Sequence, residues 1–253
     1  MAGIFDLTGR VALVTGGGSG IGRRIGFALA AAGARVVLAA RRRRMLEEAR
    51  GEIEAAGGEA AVLEADLGDF ARLETAARAA AEPFGAPDIL VNAAGVNLRE
   101  PWEEITRESW ERTIAINLTT PFFLARALVP AMREKGWGRI INIASLQSGR
   151  AMPNSMAYGA SKGGIVQLTR AMAEAWSRHG ISCNAMAPGF FPTGLTAPVF
   201  EDEAKLKALA AQTAIGRNGK LEDLDGLAVF LAARASDYIT GQVIYIDGGF
   251  TAK

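Results

Sequence analysis

The sequence predicts a doubly wound α/β fold, in which a seven-stranded parallel sheet carries helices on both faces. Short runs rich in valine and isoleucine alternate along the chain with longer alanine-rich segments of helical period. The apolar residues of these runs stand at consecutive positions, which is typical of strands that are covered on both faces. A glycine-rich turn after the first run is the third sign, because open sheets of this kind bind ligands beyond the carboxyl ends of their strands.

The predicted strands follow one another with a helical segment in the intervals. "VALVTG" comes first and precedes the helix "IGRRIGFALAAAG", and "ARVVLAA" precedes a helix rich in arginine and glutamate. Right-handed crossovers through such helices place the strands parallel in one sheet. The remaining strands are "EAAVLEAD", "DILVNAAG", "GRIINIAS", "ISCNAMAPG" and "QVIYIDGG".

No repeat, low-complexity tract or linker interrupts this alternation, so the 253 residues are predicted to form a single domain, residues 1–253. The segment from about 188 to 216 is the only long connection between predicted strands that lacks an obvious single helix. Long connections of this kind often cover active sites. We therefore expect a substrate cover loop there. Within it, "APVFEDEAKLKALAAQ" is compatible with one helix.

The composition limits the kinds of binding partner that are expected. Lysine and arginine total 28 against 27 acidic residues, so no net field favours nucleic acid or an anionic membrane. The amino-terminal stretch "MAGIFDLTGR" lacks a signal pattern, and no apolar run approaches the roughly 20 residues that span a bilayer. Cys183 has no partner for an internal disulfide, which fits a reducing compartment. We expect a cytoplasmic protein whose partners are small molecules and copies of itself.

The glycine-rich turn is "TGGGSGIG", Thr15 to Gly22, between the first strand and the first helix. Glycines there allow a tight turn and a close backbone approach to a pyrophosphate, which the free N–H groups and dipole of the helix amino end favour. The pattern is T-G-x-x-x-G-x-G rather than the commoner G-x-G-x-x-G. The sequence thus predicts a dinucleotide site of a narrower type.

"YGASK" places Tyr158 and Lys162 one helical turn apart, in a chain whose single histidine, His179, lies downstream. Residues four apart share a helix face, so the Lys162 ammonium is expected near the Tyr158 hydroxyl. A nearby positive charge favours phenolate and lowers the pKa of a tyrosine, which is about 10 when unperturbed. Tyr158 then becomes an acid–base group without any histidine. Taken singly, such a pair would be ordinary surface residues.

Together, "TGGGSGIG", "NAAG" at 92–95, Ser145, "YGASK" and "PGFFPT" occur in the order and spacing of the short-chain dehydrogenase/reductase family, which the whole chain resembles. The resemblance implies a Rossmann-like fold and nicotinamide chemistry. It implies that Tyr158 exchanges a proton with the carbonyl or alcohol oxygen and that Ser145 hydrogen-bonds the same oxygen. Lys162 would bind the nicotinamide ribose, and Asn117 would organise a proton-relay water with Lys162. No metal is expected.

The resemblance also implies the cofactor contacts. Asp66 and Leu67 are expected by the adenine, Asn92 and Gly95 beside the adenosine ribose, and Pro188 and Thr193 at the carboxamide. Ala93 stands where the family's usual N-N-A-G has its second asparagine. This departure is expected to change hydrogen bonding within the loop and not the chemistry. The full expected set is Gly16, Ser19, Gly20, Ile21, Gly22, Arg41, Arg42, Asp66, Leu67, Asn92, Gly95, Tyr158, Lys162, Pro188, Gly189 and Thr193.

Cofactor choice depends on the end of the second strand, where an acidic residue would favour NAD. That position is Ala40, and four arginines follow it. Arg41 and Arg42 are predicted to bind a ribose phosphate, so NADP(H) is favoured over NAD(H). Arg43 and Arg44 are expected to begin a helix, paired with glutamates at helical spacing.

The substrate is less defined. The predicted pocket loops carry mostly apolar side chains, which favours a carbonyl reductase for an apolar or cyclic ketone. Arg99 and Arg150 lie in the same loops and keep open a polyol or keto-sugar-acid dehydrogenase of the gluconate type. The apolar candidates are Leu98, Trp102, Leu146, Met152, Met156, Phe190 and Phe191.

Two further alternatives stay open. A β-ketoacyl carrier-protein reductase would need a basic patch beside the site, and Glu174 stands where such enzymes often place an arginine. A non-catalytic nucleotide sensor would keep the glycine turn and lose the proton-transfer residues, all of which are present. The resemblance also implies a homotetramer.

Overall fold

The computed structural model describes residues 3–253. It has a seven-stranded sheet with the order β3-β2-β1-β4-β5-β6-β7, and the paired strands are parallel. The predicted architecture, a Rossmann-like doubly wound sheet in a single domain, is therefore confirmed. The strands are β1 (Val11–Thr15), β2 (Arg35–Ala40), β3 (Glu59–Glu64), β4 (Ile89–Asn92), β5 (Gly138–Ile143), β6 (Ile181–Pro188) and β7 (Val243–Ile246).

The helices lie on both sides of this sheet. The long α6 follows β5, and a π-helical turn, Ala115–Thr119, joins α4 to α5. The helices are α1 (Gly20–Ala31), α2 (Arg43–Ala55), α3 (Leu73–Ala79), α4 (Arg107–Ile114), α5 (Thr120–Glu134), α6 (Met156–Trp176), α7 (Ala197–Phe200), α8 (Glu203–Gln212) and α9 (Asp225–Ala232).

Alternate residues of β1 supply two different cores. Ala12 and Val14 pack in one cluster with buried residues of α1, α2 and α9. Val11 and Leu13 pack in the other, with buried residues of α5 and α6. All five residues of β1 are buried, which is why the strand reads as a continuous apolar run.

The segment Arg107–Glu134, 28 residues long, is apolar enough to cross a membrane by length and composition alone. This differs from the sequence-based expectation that no run reaches that length. Core helices of soluble proteins have the same profile, and here Leu124, Leu128 and Met132 are buried against the sheet. We interpret the segment as part of the core.

The segment 188–216 contains two helices where the sequence suggested one. The break falls at Asp202, whose carboxylate accepts a hydrogen bond from the Lys205 N–H at 3.0 Å and so begins a new helix, α8. α8 contributes no buried residue, because Leu206 and Leu209 are only half-buried. α8 therefore packs only weakly on the rest of the domain.

Candidate active site

A cleft of about 520 Å³ lies beyond the carboxyl ends of the strands. It is lined by the loops that follow β1, β2, β3, β4, β5 and β6. Of the residues predicted to form the site, those that line the cleft are Gly16, Ser19, Gly20, Ile21, Gly22, Arg41, Arg42, Asp66, Leu67, Gly95, Ser145, Tyr158, Lys162, Pro188, Gly189 and Thr193. Asn92 and Asn117 lie behind this lining.

The glycine turn brings backbone against backbone. Gly16 has φ of 67°, and a Cβ on it would lie 2.9 Å from the Ala94 nitrogen. A Cβ on Gly22 would lie 2.5 Å from the Gly16 oxygen. No side chain fits at either position, because real Cβ atoms do not approach backbone so closely.

The amino end of α1 faces the cleft without a cap. Ser19 is the N-cap residue, yet its side chain makes no capping hydrogen bond. The first N–H groups of a helix have no partner within the helix, and here they are offered to the cleft at the positive end of the helix dipole. This is the arrangement that a pyrophosphate requires.

Thr15 fixes the loop that follows β4. Its hydroxyl oxygen accepts hydrogen bonds from the Ala93 and Ala94 N–H groups at 3.0 and 3.1 Å and donates to the Val91 oxygen. The loop is therefore held through its backbone, although Ala93 replaces the family's usual asparagine.

Asn92 is buried, and its side chain does not reach the cleft. Its Nδ2 donates to Asn142 Oδ1 at 2.9 Å, and Asn142 in turn donates to Thr169 Oγ1. The sequence placed Asn92 beside the adenosine ribose, but in the structure this amide links β4 to β5 and α6. The reason is the strand period, which turns the Asn92 side chain into the interior of the sheet.

Asn117 lies in the π-helical turn, behind the loop that follows β4. Its Oδ1 accepts a hydrogen bond from the Val96 N–H, and its Nδ2 donates to the Val96 oxygen, both at 2.9 Å. Nδ2 also donates to Ser161 Oγ at 3.0 Å. A Cβ on Gly95 would lie 3.3 Å from Asn117 Oδ1 and 3.9 Å from Lys162 Nζ, so the two side chains meet across Gly95.

Ser145 follows β5 and begins a short 3₁₀ turn, Leu146–Ser148. Its hydroxyl accepts a hydrogen bond from the Gln147 N–H at 3.2 Å, so Ser145 is a helix cap as well as a cleft residue. The Ser148 hydroxyl donates to the Lys162 oxygen at 2.6 Å and accepts from the Ser145 N–H. Ser145 is thereby anchored to the helix that carries Tyr158.

Tyr158 does not have the lowered pKa that the sequence suggested. Burial raises the pKa of this phenol above its ordinary value, while hydrogen bonding by Ser145 and the positive charge of Arg99 act against the rise. Lys162 is buried, and burial lowers its pKa to about 8. Its ammonium donates to the Ile143 oxygen at 2.5 Å.

The four arginines after β2 divide as predicted. Arg43 pairs with Glu47 at 3.2 Å and Arg44 with Glu48 at 3.7 Å. Arg41 and Arg42 line the cleft and are exposed, and neither makes an ion pair within residues 3–253. Two cations are therefore free to meet an anion at the end of β2.

The apolar lining is smaller than the sequence suggested. Leu146, Met152, Phe190 and Phe191 line the cleft, whereas Leu98, Trp102 and Met156 do not and are exposed.

The two arginines that the sequence offers for substrate binding, Arg99 and Arg150, also differ in whether they line the cleft. Arg99 lines the cleft and donates to the Leu195 oxygen at 3.0 Å. Arg150 lies outside the lining, where it donates to the Phe250 oxygen and stacks on the Phe250 ring.

Sequence reasoning missed Gln147 and the geometry of Arg99. Gln147 lines the cleft two residues after Ser145, and that spacing was the signal available for finding it. Arg99 has φ of 56°, a left-handed conformation that is uncommon for residues other than glycine. Strained backbone of this kind clusters at functional sites, but no sequence pattern predicts it.

The fold and the cleft define a doubly wound, dinucleotide-binding class of protein with a Ser–Tyr–Lys set at the reacting end. The chain belongs to the short-chain dehydrogenase/reductase family, and it is an oxidoreductase of the nicotinamide-dependent type that acts on CH–OH donors. The matching family model, described as enoyl-(acyl carrier protein) reductase, covers residues 16–251.

The chain is also similar to proteins of named activity. It is 40% identical to gluconate 5-dehydrogenase of Gluconobacter oxydans (strain 621H), over 99% of this chain and 98% of that one. It is 39% identical to 2-dehydro-3-deoxy-D-gluconate 5-dehydrogenase of Bacillus subtilis (strain 168), over 98% and 97%. A solved gluconate 5-dehydrogenase from Burkholderia cenocepacia J2315, in complex with NADP and tartrate, superposes with a TM-score of 0.94 at 37% identity, over 99% and 98%.

Proposed function

We propose that the protein is an NADP(H)-dependent oxidoreductase that interconverts a hydroxyl and a keto group on a small sugar acid or polyol of the gluconate type. The observation that carries this proposal is the position of Arg99, which lines the cleft close enough to Tyr158 for its charge to oppose the rise that burial causes in the pKa of that phenol. A guanidinium beside the reacting end suits a substrate that carries a carboxylate.

The residues present fit a dinucleotide phosphate. The uncapped amino end of α1 and the side-chain-free surface of Gly16 and Gly22 suit a pyrophosphate. Arg41 and Arg42 suit the additional phosphate of NADP, since both are unpaired within the described chain. The NADP bound in the Burkholderia enzyme supports the same assignment.

Bound cofactor would supply the hydride that reaches the carbonyl carbon in reduction, or accept it in oxidation. Tyr158 would give its hydroxyl proton to the carbonyl oxygen in reduction and recover it in oxidation, and a positioned acid–base group contributes about 10²- to 10⁴-fold to the rate. Ser145 would hydrogen-bond the same oxygen. A raised pKa keeps Tyr158 protonated near neutral pH, which suits the reductive direction.

Lys162 and Asn117 would act behind Tyr158. We propose that Lys162 binds the nicotinamide ribose hydroxyls, because Lys162 lines the cleft and its ammonium is held by a hydrogen bond to the Ile143 oxygen. Asn117 would hold the Val96 backbone in place and organise a proton-relay water with Lys162 across Gly95.

The gluconate type is preferred over the apolar ketone for two reasons. Three of the seven apolar side chains expected in the pocket lie outside it, namely Leu98, Trp102 and Met156. The relatives from Gluconobacter oxydans and Bacillus subtilis are named for activity on gluconate and on 2-dehydro-3-deoxy-D-gluconate. Both reasons favour a polar substrate over a hydrophobic one.

We also propose that the segment 188–216 covers the substrate. Leu195 receives the Arg99 hydrogen bond, and a Cβ on Gly20 would lie 3.2 Å from Thr193, so this segment reaches across both ends of the cleft. A cytoplasmic homotetramer remains our expectation for the whole protein. The exposed Tyr245 on the edge strand β7 is compatible with such an assembly, which light scattering would test.

The experiment is NADPH consumption, with NADH alongside, across keto-sugar acids, cyclic ketones, aryl ketones and β-ketoacyl thioesters. Keto-sugar acids should give the highest kcat/KM. Arg99→Met should raise their KM by about tenfold or more, as expected for loss of a charge-assisted hydrogen bond. Arg150→Met is the matched control and should leave KM unchanged, since Arg150 contacts Phe250 instead.

Three results would count against the proposal. Preference for neutral cyclic or aryl ketones would restore the apolar pocket. Preference for β-ketoacyl thioesters would indicate a carrier-protein reductase. If the protein turns over none of the tested ketones, the result would favour a non-catalytic nucleotide sensor.

A further inference from the structure

Gln147 is a polar residue of the cleft that the proposed proton transfer does not use. Its Oε1 is buried, and no residue of the described chain donates a hydrogen bond to it. An unpaired buried acceptor destabilises the protein unless a donor reaches it. Because Gln147 lines the cleft, a ligand can be that donor.

The backbone holds Gln147 beside the reacting end. Its N–H donates to Ser145 Oγ at 3.2 Å, and the next residue, Ser148, is hydrogen-bonded to the Lys162 oxygen. On the other side, Gln147 Oε1 would be 3.8 Å from a Cβ on Gly159, the residue after Tyr158. Gln147 Oε1 therefore lies between the segments that carry Ser145 and Tyr158.

Part of the lining of the same cleft is apolar. Leu146, Met152, Phe190 and Phe191 contribute this apolar surface. A hydroxyl that leaves water for such a surface loses its hydrogen bonds unless a partner is placed for it. Gln147 is placed to receive a hydroxyl next to the oxygen that Ser145 and Tyr158 bind.

We infer that Gln147 is a specificity-determining residue whose Oε1 accepts a hydrogen bond from a hydroxyl on the carbon next to the reacting carbon. The protein then favours α-hydroxy ketones and vicinal diols over their deoxy counterparts. This inference rests on the proposed function, because it assumes that the oxygen of the reacting carbon is bound by Ser145 and Tyr158.

The test compares Gln147→Met with the wild type on two pairs of ketones. One pair is 2-hydroxycyclohexanone and cyclohexanone, and the other is a 5-keto sugar acid and its 4-deoxy analogue. The variant should lose about 10- to 100-fold in kcat/KM on the hydroxylated member of each pair, because the substrate hydroxyl then has no acceptor. Its kcat/KM on the deoxy members should stay within about threefold of the wild type.

Gln147→Glu is the conservative variant. It keeps an acceptor at the same place, so it should retain the preference for 2-hydroxycyclohexanone over cyclohexanone, and this neutral pair avoids any effect of its charge on a carboxylate. NADPH affinity and the melting temperature of both variants report whether the fold is intact.

Equal losses on both members of a pair, or no loss on either, would overturn the inference while leaving the sugar-acid proposal in place. If the wild type ignored sugar acids and still discriminated the cyclohexanone pair through Gln147, the proposed substrate would fall and the inference would stand. An enzyme that turned over neither pair would overturn both.

Discussion

Lys162 Nζ lies 5.6 Å from the centre of the Tyr158 ring, and its hydrogen bond goes to the Ile143 oxygen rather than to the phenol. Burial therefore governs both groups, raising the pKa of Tyr158 and lowering the pKa of Lys162. The nearby cation whose charge opposes the rise in the pKa of Tyr158 is Arg99 rather than Lys162. The helical spacing of Tyr158 and Lys162 predicted their common face correctly and the electrostatic result incorrectly.

The buried Lys162 should lower stability in a pH-dependent way. Its pKa falls from an ordinary 10.5 to about 8, so between these values the unfolded chain holds a proton that the folded chain has released. The free energy of unfolding therefore rises with pH across this window, by about 3 kcal/mol in total for this group. Lys162→Met removes the effect.

The measurement is urea denaturation of the wild type and Lys162→Met at pH 7 and at pH 10. The stability of the wild type relative to the variant should improve at the higher pH. Cys183, whose pKa burial raises to about 12, is present in both proteins and cancels in the comparison. If the difference in the free energy of unfolding between the two proteins does not change with pH, burial does not lower the pKa of Lys162.

Arg41 should determine the preference for NADPH. Arg41→Asp places a like charge where a ribose phosphate is expected, so the Kd of NADPH should rise by about 100-fold or more, as for loss of a charge-assisted hydrogen bond together with a repulsion. The Kd of NADH should change little. Arg44→Asp is the matched control, because Arg44 is engaged with Glu48. Equal losses for both cofactors would refute the assignment.

Two glycine substitutions should have opposite effects. Gly22→Ala forces a Cβ to within 2.5 Å of the Gly16 oxygen, so the turn must move and NADPH affinity should fall together with stability. Gly51→Ala, on the exposed face of α2, meets nothing within 4 Å and should stabilise the protein by about 0.5–1 kcal/mol. Thermal denaturation and NADPH titration of the two variants measure both effects, and an unperturbed Gly22→Ala would contradict the described turn.

The fold was accessible from the sequence because the strands lie in short apolar runs that alternate with helical segments. β1 and β4, for example, end at Thr15 and Asn92, next to the glycine turn and the "NAAG" loop that the sequence indicated. The arginines after β2 were also separated correctly, because the spacing of Arg43 and Arg44 from their glutamates is a local property.

The rest depends on packing between distant segments. The Asn92 side chain, which faces the interior of the sheet, donates its hydrogen bond to Asn142, 50 residues along the chain. The left-handed conformation of Arg99 and its bond to Leu195 join segments 96 residues apart. No local pattern encodes either arrangement, and the same holds for the unpaired oxygen of Gln147.

The most direct test of proton transfer by Tyr158 is a comparison of kcat and the Kd of NADPH for the wild type and Tyr158→Phe, with a 5-keto sugar acid as substrate. The variant removes one hydroxyl group and keeps the ring. We predict that kcat falls by about 10³-fold, the range of a positioned acid–base group, while the Kd of NADPH stays within about threefold. A variant that retained the wild-type kcat would contradict the role of Tyr158 as the proton donor.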